Sequence, residues 1–333
     1  KLVKKIDIIL MTRGILALLV VLWHVEGYKG VFWDFLNLPG RTAVILFFGM
    51  SGYVISYGFI HKKYLFNRSD IWYFYKRRII RIMPLFILIS TITLCYHFFL
   101  RGKWLLSISE ILPEIFMFQF NHSYSLNTVF WTLGVEMQFY LIAPLLIYFT
   151  MHFLNGTQKK IIFYCLLFGL FLIMSYYIGV DSRNLFGNLF HFFSGIITCS
   201  YIKNNGIPKY SSGILFAIIL LIVSMSNYLF HNTGFIYYVL GLLMVNLCIP
   251  MIIFAHHNLS DAIYEDRLKL ISFFLTSGTV SYGIYAWHPF IIEIVNENYT
   301  QNLLVIMLFT ISTALISYFY FEKPILSYVK KKK

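Results

Sequence analysis

Ten apolar runs of about 20 residues recur along this 333-residue chain, each nearly free of charge. A helix needs about that many apolar residues to cross a bilayer. Within lipid, only a helix or a closed barrel satisfies its own backbone hydrogen bonds. The runs lie at 6–26, 41–60, 79–100, 127–149, 161–180, 185–202, 212–229, 234–255, 270–291 and 301–320. The expected fold class is therefore all-α: a polytopic membrane protein with about ten transmembrane helices, forming one domain over residues 1–333. The composition agrees. Hydrophobic residues make up 59% of the chain and charged residues 12%, against about 25% charged in soluble domains. A soluble core of this size has no room for 34 Phe and 25 Tyr. The opening KLVKKIDIIL resembles the basic end of a secretory leader. The run after it is long, carries Arg13 and His24 and has no small-x-small cleavage site, so it reads as a retained first helix. The gap at 101–126 reads as an interfacial or re-entrant helix.

The charge pattern gives an orientation. Lys and Arg accumulate in cytoplasmic loops. With the N-terminus inside, 21 of the 27 basic residues fall on the cytoplasmic side, five fall outside, and Arg13 lies within the membrane. Both termini are then expected in the cytoplasm. This split also accounts for most of the net charge of +13, so no nucleic-acid partner is expected. The four cysteines, Cys95, Cys165, Cys199 and Cys248, each sit in an apolar run without metal-ligand spacing. They read as small buried hydrophobes, and no metal is expected.

Four stretches carry groups that an inert membrane helix does not need. In RGILALLVVLWHVEG, Arg13 and His24 are eleven residues apart. That separation is about 16 Å along a helix and only about 20° around it. Both side chains then share one stripe. An intramembrane ionisable group marks a site by default; the plainer readings are a snorkelling arginine and an interfacial histidine. In FYKRRIIRIMP, Arg77, Arg78 and Arg81 open the third run. Guanidinium forks suit phosphate oxygens, although a positive-inside flank has the same composition. Pro84 allows a bend that opens backbone groups to a ligand. In NTVFWTLGVEMQFYLIAPLL, Glu136 is about nine residues deep. A carboxylate at that depth must be neutral, paired or in a wet cavity; an ion pair with Arg13 that only locks two helices is the structural alternative. In SGTVSYGIYAWHPFIIE, His288 sits at the level of His24 beside Tyr282, Tyr285 and Trp287, a setting that an aromatic interface belt also produces. Glycines 49, 52 and 195 read as helix-packing positions.

Together these stretches resemble the integral membrane acyltransferase family 3, which includes bacterial surface-glycan O-acetyltransferases. Arg13 and His24 match its arginine, ten residues, histidine signature. ILFFGMSGYVIS, KRRIIRIMPLF, FWTLGVEMQFYLIAPLL, VSYGIYAWHPFI and YFYFEKPI match its later segments in order. Thr132 stands where Ser is usual, Pro289 follows His288 directly, and the first run departs from the common LDGLRG-like wording. The resemblance implies an acyl-CoA donor, acetyl-CoA, as co-substrate from the cytoplasm. Arg77, Arg78, Arg81 and Arg13 would bind it. His24 would act as general base or take the acyl group itself, Glu136 would orient a histidine or assist proton transfer, and His288 is a second catalytic candidate. The acceptor would be a hydroxyl of a surface glycan or lipid-linked sugar, and the setting a bacterial cytoplasmic membrane with its lipids as neighbours. With no appended extracytoplasmic domain expected, the chain reads as a stand-alone enzyme. A transporter or flippase of a glycolipid or small anion is the alternative, because midplane charges and broken spans suit it too.

Overall fold

The fold is seen in a computed structural model. It describes residues 3–5, 7–25, 40–102, 127–178, 183–208, 234–259, 263–265, 269–298 and 302–330, with isolated positions between 215 and 229. A short strand, β1 (Val3–Lys5), precedes α1 (Ile8–His24). Then come α2 (Gly40–Ile60), α3 (Arg68–Arg101), α4 (Trp131–His152), α5 (Thr157–Ile178), α6 (Leu189–Asn205) and α7 (Phe235–Leu259). Strand β2 (Ile263–Glu265) leads to α8 (Lys269–Thr279), α9 (Ser281–Asn298) and α10 (Leu303–Ser317). A π-helical turn, Tyr318–Glu322, joins α10 to α11 (Lys323–Lys330).

The expected count of about ten membrane-crossing helices is corrected. Among the described residues, six helical stretches are long and apolar enough to cross: α2, α3, α4, α5, α7, and the stretch from α10 into α11. Counting apolar residues misses helix length and interruption. Helices α1 and α6 have 17 residues each, about 26 Å against a core of about 30 Å. The run at 270–291 is interrupted at Val280, between α8 and α9. Most of the run at 212–229, and the segment 103–126, lie outside the described residues. The fold is also not purely helical, since β1 and β2 pair antiparallel with Val3 opposite Glu265.

Helix α1 is central, touching α2, α7, α8, α9 and α10. Helix α2 packs closely on α6 because glycines remove side chains where the backbones meet. A Cβ on Gly195 would stand 2.0 Å from the Gly49 carbonyl oxygen, and one on Gly52 would stand 2.1 Å from that of Phe192. Small residues allow such approach in membrane helices. A Cβ on Gly278 would likewise stand 1.9 Å from the Leu10 carbonyl oxygen, which brings α8 onto α1. Helix α5 lies at the edge, with Leu166, Leu170 and Ile173 exposed, as expected of a lipid-facing helix.

One end of the bundle collects the basic segments. Pairing of β1 with β2 places the start of the chain beside the segment after α7. The carboxylate of Asp7 N-caps α1 by accepting from the Leu10 N–H at 3.0 Å and lies 3.5 Å from His256 Nδ1 on α7. Asn67 caps α3 by accepting from the Asp70 N–H at 2.8 Å. Asp70 in turn accepts from the Leu65 N–H at 2.9 Å. Carboxylates at helix N-termini suit both the orphan N–H groups and the dipole. The cap fixes where α3 begins, and with it the direction of the three arginines that follow.

Candidate active site

The arginines of α3 open a cavity at that basic end. Arg77, Arg78 and Arg81 line it together with Lys63, Glu322 and Lys323. Its volume is about 600 Å³. All three arginines are half-buried. Arg77 lies over the Tyr73 ring at 5.6 Å, and Arg78 over Phe74 at 5.5 Å and Tyr140 at 5.1 Å. Pro84 has no N–H to give the carbonyl four residues back. That carbonyl belongs to Ile80, which lines the same cavity.

A second, smaller cavity of about 50 Å³ lies deeper, and Ser281 and Tyr282 line both. Tyr282 is held at this junction by donating its hydroxyl to the Ile82 carbonyl at 2.8 Å. Arg13 and Glu136 line the inner cavity with Phe47, Ser51, Thr132 and Tyr285. One face of α2 connects the two spaces. Val44, Phe47 and Ser51 face the inner cavity, and Val54 and Gly58 face the outer one. Their spacing of three and four residues keeps them on one stripe, about 21 Å long.

Arg13 and Glu136 share this cavity without forming an ion pair within 4 Å. Glu136 Oε1 instead accepts from the Ser51 hydroxyl at 2.7 Å and the Tyr140 hydroxyl at 2.6 Å. Arg13 Nε is buried without a hydrogen-bond partner, and its guanidinium carbon is 6.0 Å from the Phe47 ring. A chain of contacts therefore runs from Arg78 through Tyr140 to Glu136 and Ser51.

The two histidines meet one turn beyond the inner cavity. His288 Nε2 is 3.3 Å from His24 Nδ1, and the ring centroids are 4.9 Å apart. His288 Nδ1 donates to the Tyr285 carbonyl at 2.7 Å, and His24 Nδ1 donates to the Val20 carbonyl at 2.8 Å. A carbonyl only accepts, so in the neutral rings each Nδ1 carries the proton. His288 Nε2 then faces His24 as an acceptor, and the lone pair of His24 is on Nε2. The residue after His288 explains its contact. Pro289 lacks the N–H that would bond the Tyr285 carbonyl, which leaves that oxygen to the His288 ring. His288 is fully buried, whereas His24 is half-buried.

Polar contacts fix the wall between cavity and histidines. Thr132 Oγ is 3.0 Å from the Tyr285 hydroxyl and donates to the Val129 carbonyl at 2.9 Å. Asn127 donates to the Ala286 carbonyl at 2.8 Å. The sequence candidates thus form two groups. Arg13, Glu136, Arg77, Arg78 and Arg81 line two adjoining cavities, and His24 and His288 form a pair beyond them. No hydrogen bond joins Glu136 to either histidine. Sequence reading missed Ser51 as the partner of Glu136, Tyr282 as the junction, and Lys63 and Lys323 as walls of the outer cavity. Ser51, Tyr282 and Lys323 each sat in a stretch that the sequence had singled out, without these roles, and Lys63 carried no signal beyond the basic loop. Among the described residues, no group of three His, Cys, Asp or Glu side chains is placed to hold a metal ion.

A family model described as an acyltransferase domain matches residues 6–322. The chain is similar to the protein named O-acetyltransferase OatA of Staphylococcus aureus strains NCTC 8325 and COL. Each is 26% identical over 322 aligned residues, covering 86% of this chain and 52% of the relative. The chain therefore spans about half the length of these relatives. No solved structure matches.

Proposed function

The chain belongs to the membrane acyltransferase family whose model spans residues 6–322, and on that premise we propose that it is an O-acetyltransferase. In this reading it takes an acetyl group from acetyl-CoA at the basic end of the bundle. It delivers the group to a hydroxyl of a surface or lipid-linked glycan arriving from the other end. The observation that carries the proposal is the sequence of spaces. A cavity lined by Arg77, Arg78 and Arg81 adjoins a narrow one lined by Arg13 and Glu136, and the His24–His288 pair follows. Phosphate groups suit the first, an uncharged arm and thioester suit the second, and proton transfer suits the third. The family assignment weighs against the transporter reading.

The residues then have distinct roles. The arginines of α3 hold donor phosphates through charge-assisted hydrogen bonds. Arg13, with an unused Nε–H, reaches the arm of the donor. His24 Nε2 takes the proton of the acceptor hydroxyl as its oxygen attacks the thioester carbonyl. The new C–O bond forms, the C–S bond breaks, and the proton passes to the departing thiolate. His288 orients His24. Glu136 fixes Ser51 and Tyr140 in the passage. The basic end faces the cytoplasm, where acetyl-CoA is found and where Lys and Arg accumulate.

Radiolabelled acetyl-CoA, incubated with membranes that do or do not contain the protein, tests the reaction. Label should enter the glycan fraction only when the protein is present. Uptake of unmodified substrate without transfer would return the protein to the transporter class. Sidedness is tested with single cysteines in a cysteine-free chain. A cysteine replacing exposed His61, at the basic end, should label only after permeabilisation, and labelling in intact cells would reverse the orientation.

A further inference from the structure

We propose that Trp287 and Ser317 are positioning residues for His288, holding the turn of α9 that carries it. The inference rests on the proposed reading in which His288 orients the base His24.

That turn is weak by its own chemistry. Pro289 removes the N–H that would bond the Tyr285 carbonyl, so one rung of the helix is missing beside His288. Contacts from other segments replace it. The Tyr285 hydroxyl donates to the Val129 carbonyl at 3.3 Å. Asn127 donates to the Ala286 carbonyl at 2.8 Å. Trp287 Nε1 donates to Ser317 Oγ, at the end of α10, at 3.2 Å. The three residues before His288 are thus each held by a partner outside α9, and all three are buried. The His288 ring takes its direction from the same turn, since Nδ1 donates to the Tyr285 carbonyl while Nε2 stands 3.3 Å from His24 Nδ1. Rotation of the turn would part the two rings.

Ser317 is itself fixed by an irregular feature. Residues five apart stand about 140° apart around an α-helix. The π-helical turn after Ser317 closes instead with the Lys323 N–H on the Tyr318 carbonyl. This wider turn brings Glu322 round to Ser317. Ser317 Oγ lies 3.1 Å from the Ala314 carbonyl and 3.5 Å from Glu322 Oε1. Its one proton has two acceptors to choose from, and its lone pairs are left to Trp287. Single π-helical turns are frequent at functional sites. Glu322 also lines the outer cavity, so the support of His288 reaches the wall of the donor space.

The test measures kcat and KM with purified protein in nanodiscs, radiolabelled acetyl-CoA and a glycan-bearing membrane extract. Trp287→Phe removes the N–H and keeps an aromatic ring. Ser317→Ala removes the acceptor, and Ser317→Thr keeps it. Misplacement by about 1 Å can cost about 100-fold in rate. On that scale each of the first two variants should lower kcat by about 10-fold with the KM for acetyl-CoA within about twofold of wild type. Ser317→Thr should recover most of the loss. The deciding measurement repeats the two changes in His288→Gln. Neither should lower kcat further there, because changes that act through one side chain do not add. Losses that multiply in that background overturn the proposal, as does a wild-type kcat in whichever variant folds. Failure of both to fold overturns it in favour of a purely structural contact. A His288→Gln variant with wild-type transfer removes the orienting role and the proposal with it. Absence of transfer by folded wild type is a different outcome, which overturns the proposed reaction itself.

Discussion

His288 Nε2 stands 3.3 Å from His24 Nδ1, on helices whose two residues are 264 positions apart in the chain. His288 is fully enclosed and takes its ring orientation from the Tyr285 carbonyl. His24 is the half-open member, with the lone pair of Nε2 available. On the proposed mechanism, this asymmetry makes His24 the proton acceptor and His288 the residue that orients it. His24→Ala should lower acetyl transfer by about 10²–10⁴-fold, the usual worth of a positioned base, and leave acetyl-CoA binding intact. Near-normal transfer by a folded variant would remove His24 from the chemistry. His288→Gln should lower kcat less and leave the KM for acetyl-CoA nearly unchanged.

Pro289 makes a separable prediction. Pro289→Ala restores an N–H that competes with the His288 ring for the Tyr285 carbonyl. Proline inside a helix costs about 3 kcal/mol, so the variant should be as stable as wild type or more so. Its kcat should nevertheless fall several-fold, with the KM for acetyl-CoA unchanged. A steady-state comparison and a melting curve read both effects. An unchanged kcat would show that His288 does not depend on that carbonyl.

Arg77→Ala, Arg78→Ala and Arg81→Ala should each raise the KM for acetyl-CoA by about 10-fold. Hydrogen bonds to charged groups contribute about 1.5–3 kcal/mol, and partial exposure puts the expected effect at the low end. Wild-type KM should also rise with salt. Arg78 belongs with the other two because all three line one cavity. Unchanged KM values in all three variants would make the cluster a topological flank only.

How legible these features were depends on the range of the interaction. Apolar runs and the Lys and Arg excess are local composition, and they gave the membrane class; glycines 49, 52 and 195 marked packing positions but not which helices meet there. The interruption at Val280 and the shortness of α1 and α6 depend on where helices stop, which hydropathy does not encode. Arg13 and His24 could be placed on one stripe because a single helix carries both. The partner of Glu136 could not be found, because Ser51 is 85 residues away and only the packing of α2 on α4 brings them together. Pro289 was visible as a departure from the family pattern. Its effect on the Tyr285 carbonyl needed the position of the His288 ring.

Gly195 tests the helix packing that sets the α2 stripe. A Cβ there would meet the Gly49 carbonyl oxygen at 2.0 Å and the Tyr53 N at 2.6 Å, both backbone atoms. Neither can rotate away, so α2 and α6 must separate. Overpacking typically costs about 1–3 kcal/mol. Gly195→Ala should lower the apparent melting temperature in detergent by several degrees. Gly169→Ala on α5, where a Cβ meets nothing within 4 Å, should not. Equal melting of the two variants would mean that close approach of α2 and α6 does not limit stability.

Glu136 separates a structural carboxylate from a chemical one. Its Oε1 accepts two hydroxyl hydrogen bonds. An amide oxygen can accept both, so Glu136→Gln keeps the Ser51 and Tyr140 contacts while removing the charge beside Arg13. Glu136→Ala leaves both hydroxyls without an acceptor, and Tyr140 is buried. Each unsatisfied group costs about 1–3 kcal/mol, so the alanine variant should melt well below wild type. The glutamine variant should melt close to it. Transfer then decides the role. If Glu136 only fixes Ser51 and Tyr140 in the passage, Glu136→Gln retains transfer within about 10-fold and alanine fails through instability. If its charge takes part in placing the donor or moving the proton, glutamine loses transfer at unchanged stability. The absence of a hydrogen bond from Glu136 to either histidine predicts the first outcome. Melting curves and acetyl transfer measured on the same two preparations distinguish them.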